Sequence, residues 1–414
     1  MKRTAFWLLV LPFLLGFASP SRADVCSSDV KPAATLLLPY FEVDLQHAHG
    51  TDTVFSINNA FSAAQLAHVV VWSDLGAAVL DFNVYLTGYD MEVISLRDII
   101  VNGLLPQTAS AGQDPADTIS PQGSLSQDVN FASCTGQLPP PAGLPAVFIT
   151  HLQNSLTGQG SVLFGGLCAG RNLGDNVARG FVTVDVVKSC TLRFPSDTGY
   201  FGPGGDASDD NVLFGDYAYV DASQGKSVGN TLVHVEASAT SPETSTPGQY
   251  TFYGRFVGWS ALDHRSPLPT TFGALYRKGD TDLVVWRDPK VVQNAFTCPA
   301  AAGNPAWYPL GQEAIVTFDQ RETAATPPAS AKPFPAAAQR TRVGGGGLPT
   351  PFASGWAYLN LNTTVPAAGA NPPEDPAADQ AWVSVVTADG RSLVGFDAMR
   401  YDSACQAKHT NPPN

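Results

Sequence analysis

Apolar and polar residues alternate with a period of two along much of the chain. In "RGFVTVDVV", Val182, Val184 and Val186 share one face of an extended segment, and Phe181, Thr183 and Asp185 share the other. "LDFNVYL" sets Phe82, Val84 and Leu86 opposite Asp81, Asn83 and Tyr85. Comparable runs occur at 53–59, 66–74, 212–220, 231–236, 281–288, 313–318, 355–361, 381–386 and 392–396, most of them bounded by Gly, Pro, Asn or Asp. The pattern predicts strands separated by turns. One segment breaks it. In "GLPAVFITHLQNSLTGQ", Leu144, Val147, Phe148, His151, Leu152 and Leu156 recur at steps of three and four, which predicts a short helix closed by Gly158 with His151 as a satisfied core histidine.

Three stretches carry neither period: 103–146, rich in Pro, Gly, Ser and Gln; 322–351, "ETAATPPASAKPFPAAAQRTRVGGGGLPTP"; and 365–379. They predict long loops that cover a surface or carry binding residues. "VVVWSD" at 69–74 and "LVVWRD" at 283–288 echo each other, compatible with two similar β-units. The expected fold is mainly β: two disulfide-stapled β-sandwich-like units, 24–245 and 246–405, with long Pro/Gly-rich loops, one short helix and a tail at 406–414. A single large sandwich with insertions is the rival.

The chain of 414 residues opens MKRTAFWLLVLPFLLGFASPSRADVC. Lys2 and Arg3, the apolar Ala5–Ala18 and the small residues before Asp24 read as a secretory signal peptide over 1–23, so the protein is expected in the periplasm or outside the cell. No later segment approaches the ~20 apolar residues of a membrane helix. With 36 Asp+Glu against 23 Lys+Arg, the net charge of −13 repels nucleic-acid phosphates, and nucleic-acid partners are set aside. Export changes the meaning of the six cysteines, Cys26, Cys134, Cys168, Cys190, Cys298 and Cys405. An even number without any CxxC motif predicts disulfides, with Cys298–Cys405, Cys134–Cys168 and Cys26–Cys190 the favoured pairing among many.

Candidate chemistry is sparse. "GPGGDASDDNVLFGDY" gathers Asp206, Asp209, Asp210 and Asn211, with Asp216 following, and calcium is the cofactor such oxygen donors would take. The spacing is no EF-hand, and the same residues populate ordinary turns. "FEVDLQHAHGTD" offers His47 and His49 as metal ligands and Glu42 with Asp44 as a glycosidase-like carboxylate pair, each also readable as the end of an amphipathic strand. Ser260, Asp263 and His264 sit too close in sequence for a triad, and Gly225-Lys226-Ser227 lacks the first glycine of a P-loop. "QYTFYGRFVGW" supplies Tyr250, Phe252, Tyr253 and Trp259 as rings that could stack on a glycan or anchor a protein partner, if exposed.

The strings "LLLPYFEVD", "FSINNAFSA", "VYLTGYD", "CAGRNLGDNVARGFVTVDVV", "LVVWRDP" and "SLVGFDAMRYDSAC" together resemble an uncharacterised family of exported bacterial β-rich proteins. The resemblance implies export and a β-rich fold and transfers no functional residue. The expectation is therefore an exported, non-catalytic binding or structural protein. A secreted carbohydrate-active hydrolase and a calcium-dependent adhesion-type module are the alternatives.

Overall fold

The structure, a computed structural model, describes residues 30–106, 143–289, 294–298, 305, 307–363, 379–390 and 392–401. Ten strands form in the first part of the chain: β1 (Thr35–Asp44), β2 (Thr51–Asn59), β3 (Gln65–Ser73), β4 (Ala78–Leu86), β5 (Met91–Ser95), β6 (Val177–Val187), β7 (Leu213–Phe214), β8 (Asp216–Asp221), β9 (Lys226–Thr231) and β10 (Val233–Val235). They build two antiparallel sheets, one in the order β10-β1-β6-β3-β4 and one in the order β5-β2-β8-β9 with β7 also paired to β2. Nine more follow: β11 (Thr271–Arg277), β12 (Thr281–Arg287), β13 (Ala314–Phe318), β14 (Ala324–Ala325), β15 (Ala338–Arg342), β16 (Ser354–Asn360), β17 (Ala381–Asp389), β18 (Ser392–Asp397) and β19 (Met399–Arg400). These also divide in two, β14-β13-β16-β11-β19 and β15-β12-β17-β18. The protein is thus mainly β with antiparallel sheets, and among the described residues no sheet mixes strands up to Val235 with strands from Thr271 onward.

The segment with helical spacing forms α2 (Ala146–Leu156), and Gly158 follows it at φ +70°, where a side chain would strain the backbone. His151 is buried, its Nδ1 2.6 Å from Ser161 Oγ. Burial pushes its pKa down, so it sits neutral in the core as expected. Val147 lies outside the expected apolar face and is 55 % exposed. A second short helix, α1 (Leu96–Ile100), has Ser95 as N-cap, accepting from the Asp98 N–H. A third, α3 (Pro242–Ser245), links the two groups of strands.

Two positions in the first core explain why simple alternation misreads the centre of that sheet. β6 lies between β1 and β3, and its residues 180–187 are buried on both faces. Asp185 is therefore not on a solvent face. It accepts hydrogen bonds from Thr35, from Tyr200 Oη at 2.7 Å and from Tyr253 Oη at 3.1 Å, and its Oδ1 lies 3.4 Å from Arg265 Nε. Arg265, itself fully buried, also faces Asp263. A buried charge persists only when paired and hydrogen-bonded, and this set of partners does both. Gly180 on the same strand faces Phe41: a Cβ there would stand 1.9 Å from the Trp72 carbonyl oxygen and 2.8 Å from the Phe41 ring.

The larger hydrophobic cluster contains residues of both sheets of the first group, such as Leu36, Val70 and Val184 with Phe55 and Tyr219. It also takes in Val284, Trp286, Ala336–Ala338, Trp382 and Val386 from the second group. A smaller cluster, including Phe272, Leu283, Ile315, Leu359 and Val385, belongs to the second group alone.

The cysteine pairing corrects the expectation. Cys168 is bonded to Cys298, so neither Cys134–Cys168 nor Cys298–Cys405 forms. The loop after α2 and the segment around Phe296 are paired by backbone hydrogen bonds between residues 168 and 296, which brings the two sulfurs together across a separation of 130 residues. Cys190 is disulfide-bonded as well. Cys26, Cys134 and Cys405 lie outside the described residues, as do the predicted signal peptide and most of the 103–146 and 365–379 stretches. The third irregular stretch is not wholly irregular: its "AQRTR" is β15, hydrogen-bonded to β12 from Asp282–Arg342 to Trp286–Ala338.

Candidate functional site: an arginine-lined groove

β1 carries Pro39 in mid-strand, where the missing N–H cannot join a ladder. The register with β6 shifts there, between Leu38 and Phe41. Such a bulge bends a strand and re-aims its side chains. Beyond it, Tyr40 and Glu42 line a cavity of about 410 Å³ with Arg171, Arg179, Arg340 and Arg342. The arginines come from the loop after α2, from β6 and from β15, and the wall is completed by Asp282 of β12.

Each guanidinium is held by a carboxylate. Arg340 donates from Nη1 to Glu42 Oε1 at 2.7 Å and from Nε to Asp282 Oδ2 at 2.8 Å, bridging the two groups of strands. Arg342 donates to Asp282 and, through Nη1, to the Gly279 carbonyl at 2.6 Å, with half of its side chain in solvent. Arg179 pairs with Asp175 at 2.5 Å and Arg171 with Asp74 at 2.6 Å. Burial opposes the charge on Arg340, yet Glu42 and Asp282 outweigh it and hold the pKa above the ordinary guanidinium value. Burial, reinforced by Glu42, drives the Tyr40 phenol well above its usual range. The groove therefore presents fixed, permanently charged N–H donors and a neutral phenol. That is chemistry for recognising carboxylate, sulfate or phosphate, since planar guanidinium suits bidentate oxygen acceptors.

The residues singled out in the sequence distribute differently. Asp206 accepts from Thr191 Oγ1 at 2.7 Å and Arg193 Nη1 at 2.9 Å. Asp209 lies 2.6 Å from His264 Nδ1, and Asp210 accepts from Ser208 Oγ at 2.7 Å. Asn211 exchanges two hydrogen bonds with the backbone of Ala237, and Asp216 opens β8 in solvent. The loop aims these oxygens at separate protein partners rather than at a common centre. Among the described residues no group of three or more His, Cys, Asp or Glu side chains could hold a metal ion. His47 Nδ1 lies 2.8 Å from Asp44 Oδ2, Glu42 pairs instead with Arg340, and His49 is exposed. Asp263 accepts from the Tyr253 N–H at 2.6 Å and Ser260 donates to the Val257 carbonyl, so no triad assembles with His264.

The expected aromatic surface is a correction. Phe252, Tyr253 and Trp259 are buried and Tyr250 is half-buried against Trp259. Phe252 stacks on Trp286, and the Tyr253 hydroxyl is one of the groups that satisfy Asp185. Phe252 and Tyr253 belong to the core, and with Trp259 also buried these three rings are not available for stacking on a ligand. Of the groove residues, Glu42 carries a sequence signal of its own, as half of a carboxylate pair. Arg179, Arg340 and Arg342 were passed over. The usable signal is the basic "RTR", two arginines two residues apart inside a Pro/Ala/Gly tract whose other charges are Glu322 and Lys332.

Among the described residues no helix is long and apolar enough to cross a membrane. No protein-family model, curated protein or solved structure matches the chain.

Proposed function

We propose that the chain is an exported, non-catalytic binding or structural protein of the bacterial periplasm or cell surface, and that its binding site is the arginine-lined groove. In this reading the sheets face one another as two β-sandwich-like units that divide near residue 245, and the groove lies where they meet. The observation that carries the reading is Arg340, held between Glu42 of β1 and Asp282 of β12, with Arg342 beside it half in solvent. In a chain of net charge −13, the solvent-facing half of Arg342 is the part of this cluster open to an anion.

The test is the thermal midpoint of the mature, oxidised protein with polygalacturonate, dextran sulfate and uncharged dextran, at low and high salt. An anion at about 100 times its dissociation constant should add roughly 2.7 kcal/mol of stability. Dextran should add nothing, and Arg342→Ala should remove most of the gain. The reading fails if no anion moves the midpoint. Release of reducing ends, lost in Glu42→Gln, would replace it with the hydrolase.

A further inference from the structure

We infer that the ligand of the groove is a polyuronate, a carbohydrate chain bearing repeated ring carboxylates, lying along the groove rather than in one pocket. The inference rests on the anion-binding reading and names its ligand class.

The cavities join. The one under Arg340 shares Glu42, Asp282, Arg340 and Arg342 with a second of about 380 Å³, which continues past Lys226 on the β8–β9 hairpin. On its other side it shares Arg171 and Leu173 with a third of about 530 Å³ beside the Cys168–Cys298 disulfide. Cations therefore recur along the cleft, Lys226 in one cavity, Arg340 and Arg342 in the shared middle, and Arg171 at the passage to the third. Arg340 and Arg342 are two apart on one strand and face the same way, and their guanidiniums converge on Asp282 as a single station. A small anion needs one such station. A series of them suits a ligand whose charges repeat.

The lining is also mixed. Glu42, Asp221, Asp280 and Asp282 line the same cleft as the cations. Carboxylates only accept hydrogen bonds, so they take hydroxyl donors and repel densely packed phosphate. A uronate ring offers both partners: hydroxyls for the acids and one carboxylate for a guanidinium. Polyphosphate offers charge without those donors. An acidic peptide offers carboxylates on flexible side chains, whose ordering on binding costs affinity that a stiff glycan chain does not lose. The guanidiniums are already held in place by Asp282 and Glu42, so a rigid ligand meets a rigid site.

The experiment is calorimetric titration of the mature protein with galacturonate monomer, trimer and hexamer, with maltohexaose, inorganic polyphosphate and oligoglutamate alongside. Hexamer is expected to bind at least tenfold more tightly than monomer, with affinity falling as salt rises. Lys226→Ala and Arg342→Ala, both at solvent-facing positions and checked for an unchanged far-UV spectrum, should each weaken hexamer binding severalfold. Hexamer binding no tighter than monomer overturns the extended ligand and leaves the anion reading standing. Tighter binding of polyphosphate or oligoglutamate than of hexauronate overturns the uronate class. No binding by any anion removes both readings.

Discussion

Arg340 joins the two groups of strands through charges alone, and the strength of that join can be measured. At about 4 Å and an effective dielectric near 20, a unit pair is worth roughly 4 kcal/mol before desolvation. Burying both partners returns most of it, and charge-assisted hydrogen bonds retain about 1.5–3 kcal/mol net. The Glu42 and Asp282 side chains are 15 % and 8 % exposed, against 24 % for Arg340, so screening by water is partial. Arg342 still holds Asp282 when Arg340 is removed, whereas Glu42 keeps the Tyr40 hydroxyl at 3.3 Å and the charge of Arg179. Arg340→Met should therefore destabilise the protein by about 2–3 kcal/mol, and the Arg340→Met/Glu42→Gln cycle should yield a coupling of about 1–2 kcal/mol. With a urea slope near 3 kcal/mol/M, the single variant moves the midpoint by roughly 0.7–1 M. Urea melts followed by tryptophan fluorescence would read all four proteins of the cycle. A coupling below about 0.3 kcal/mol would show that the bridge contributes nothing beyond its separate parts.

Three further outcomes follow from features of the core and the edges. Gly180→Ala places a methyl against the Trp72 carbonyl in a central strand that cannot move away; a loss of about 3 kcal/mol or more is expected, and a midpoint within 0.5 kcal/mol of wild type would refute the close approach. Burial, helped by Asp90, raises Glu92 to about 7 from its ordinary 4.5. Folding then takes up a proton between those values, so wild-type stability should fall as pH rises from 4.5 to 7. Glu92→Gln should equal wild type near pH 4 and exceed it by about 1 kcal/mol at pH 8, after discounting for the exposed part of the side chain; parallel pH profiles would contradict the burial. Thermal melts with excess calcium and with chelator should superimpose, because Asp206, Asp209, Asp210 and Asn211 are bonded to separate partners; a shift abolished by Asp209→Ala with Asp210→Ala would restore the metal loop.

Which elements could be read from the chain follows from burial. β2 shows alternate burial over Phe55, Ile57 and Asn59 because one of its faces is solvated, and its period of two is plain in "TVFSINN". α2 could be read because three- and four-residue spacing has no β counterpart. β6 could be seen as a strand, but its faces could not be assigned: both are covered, so Asp185 and Thr183 mimic a solvent face. α1 carried its own signal, Ser95 three residues ahead of Asp98, hidden behind an apolar run that also reads as strand. The groove was the least legible feature. Its cations come from the α2–β6 loop, β6, β9 and β15, far apart in sequence, and two of them sit in a tract whose composition resembles a linker. Only pairing with β12 makes that tract a strand. The aromatic segment at 250–259 misled for the opposite reason, since ring density is equally the mark of a core.

The larger hydrophobic cluster has a consequence for the order in which the molecule can be made. Its wall is completed by Val284, Trp286, Ala336–Ala338, Trp382 and Val386, which leave the ribosome long after the first ten strands. Until they arrive, Phe181, stacked on Trp72 at 5.7 Å, lacks its cover from Trp286. A fragment ending at residue 245 should bind a hydrophobic dye and melt without a sharp transition, whereas the whole chain should do neither. A chain threaded N-terminus first across a membrane would then stay pliable until nearly its last strand had passed. Its folding would be gated by length, and the groove would be completed only once β15 had emerged.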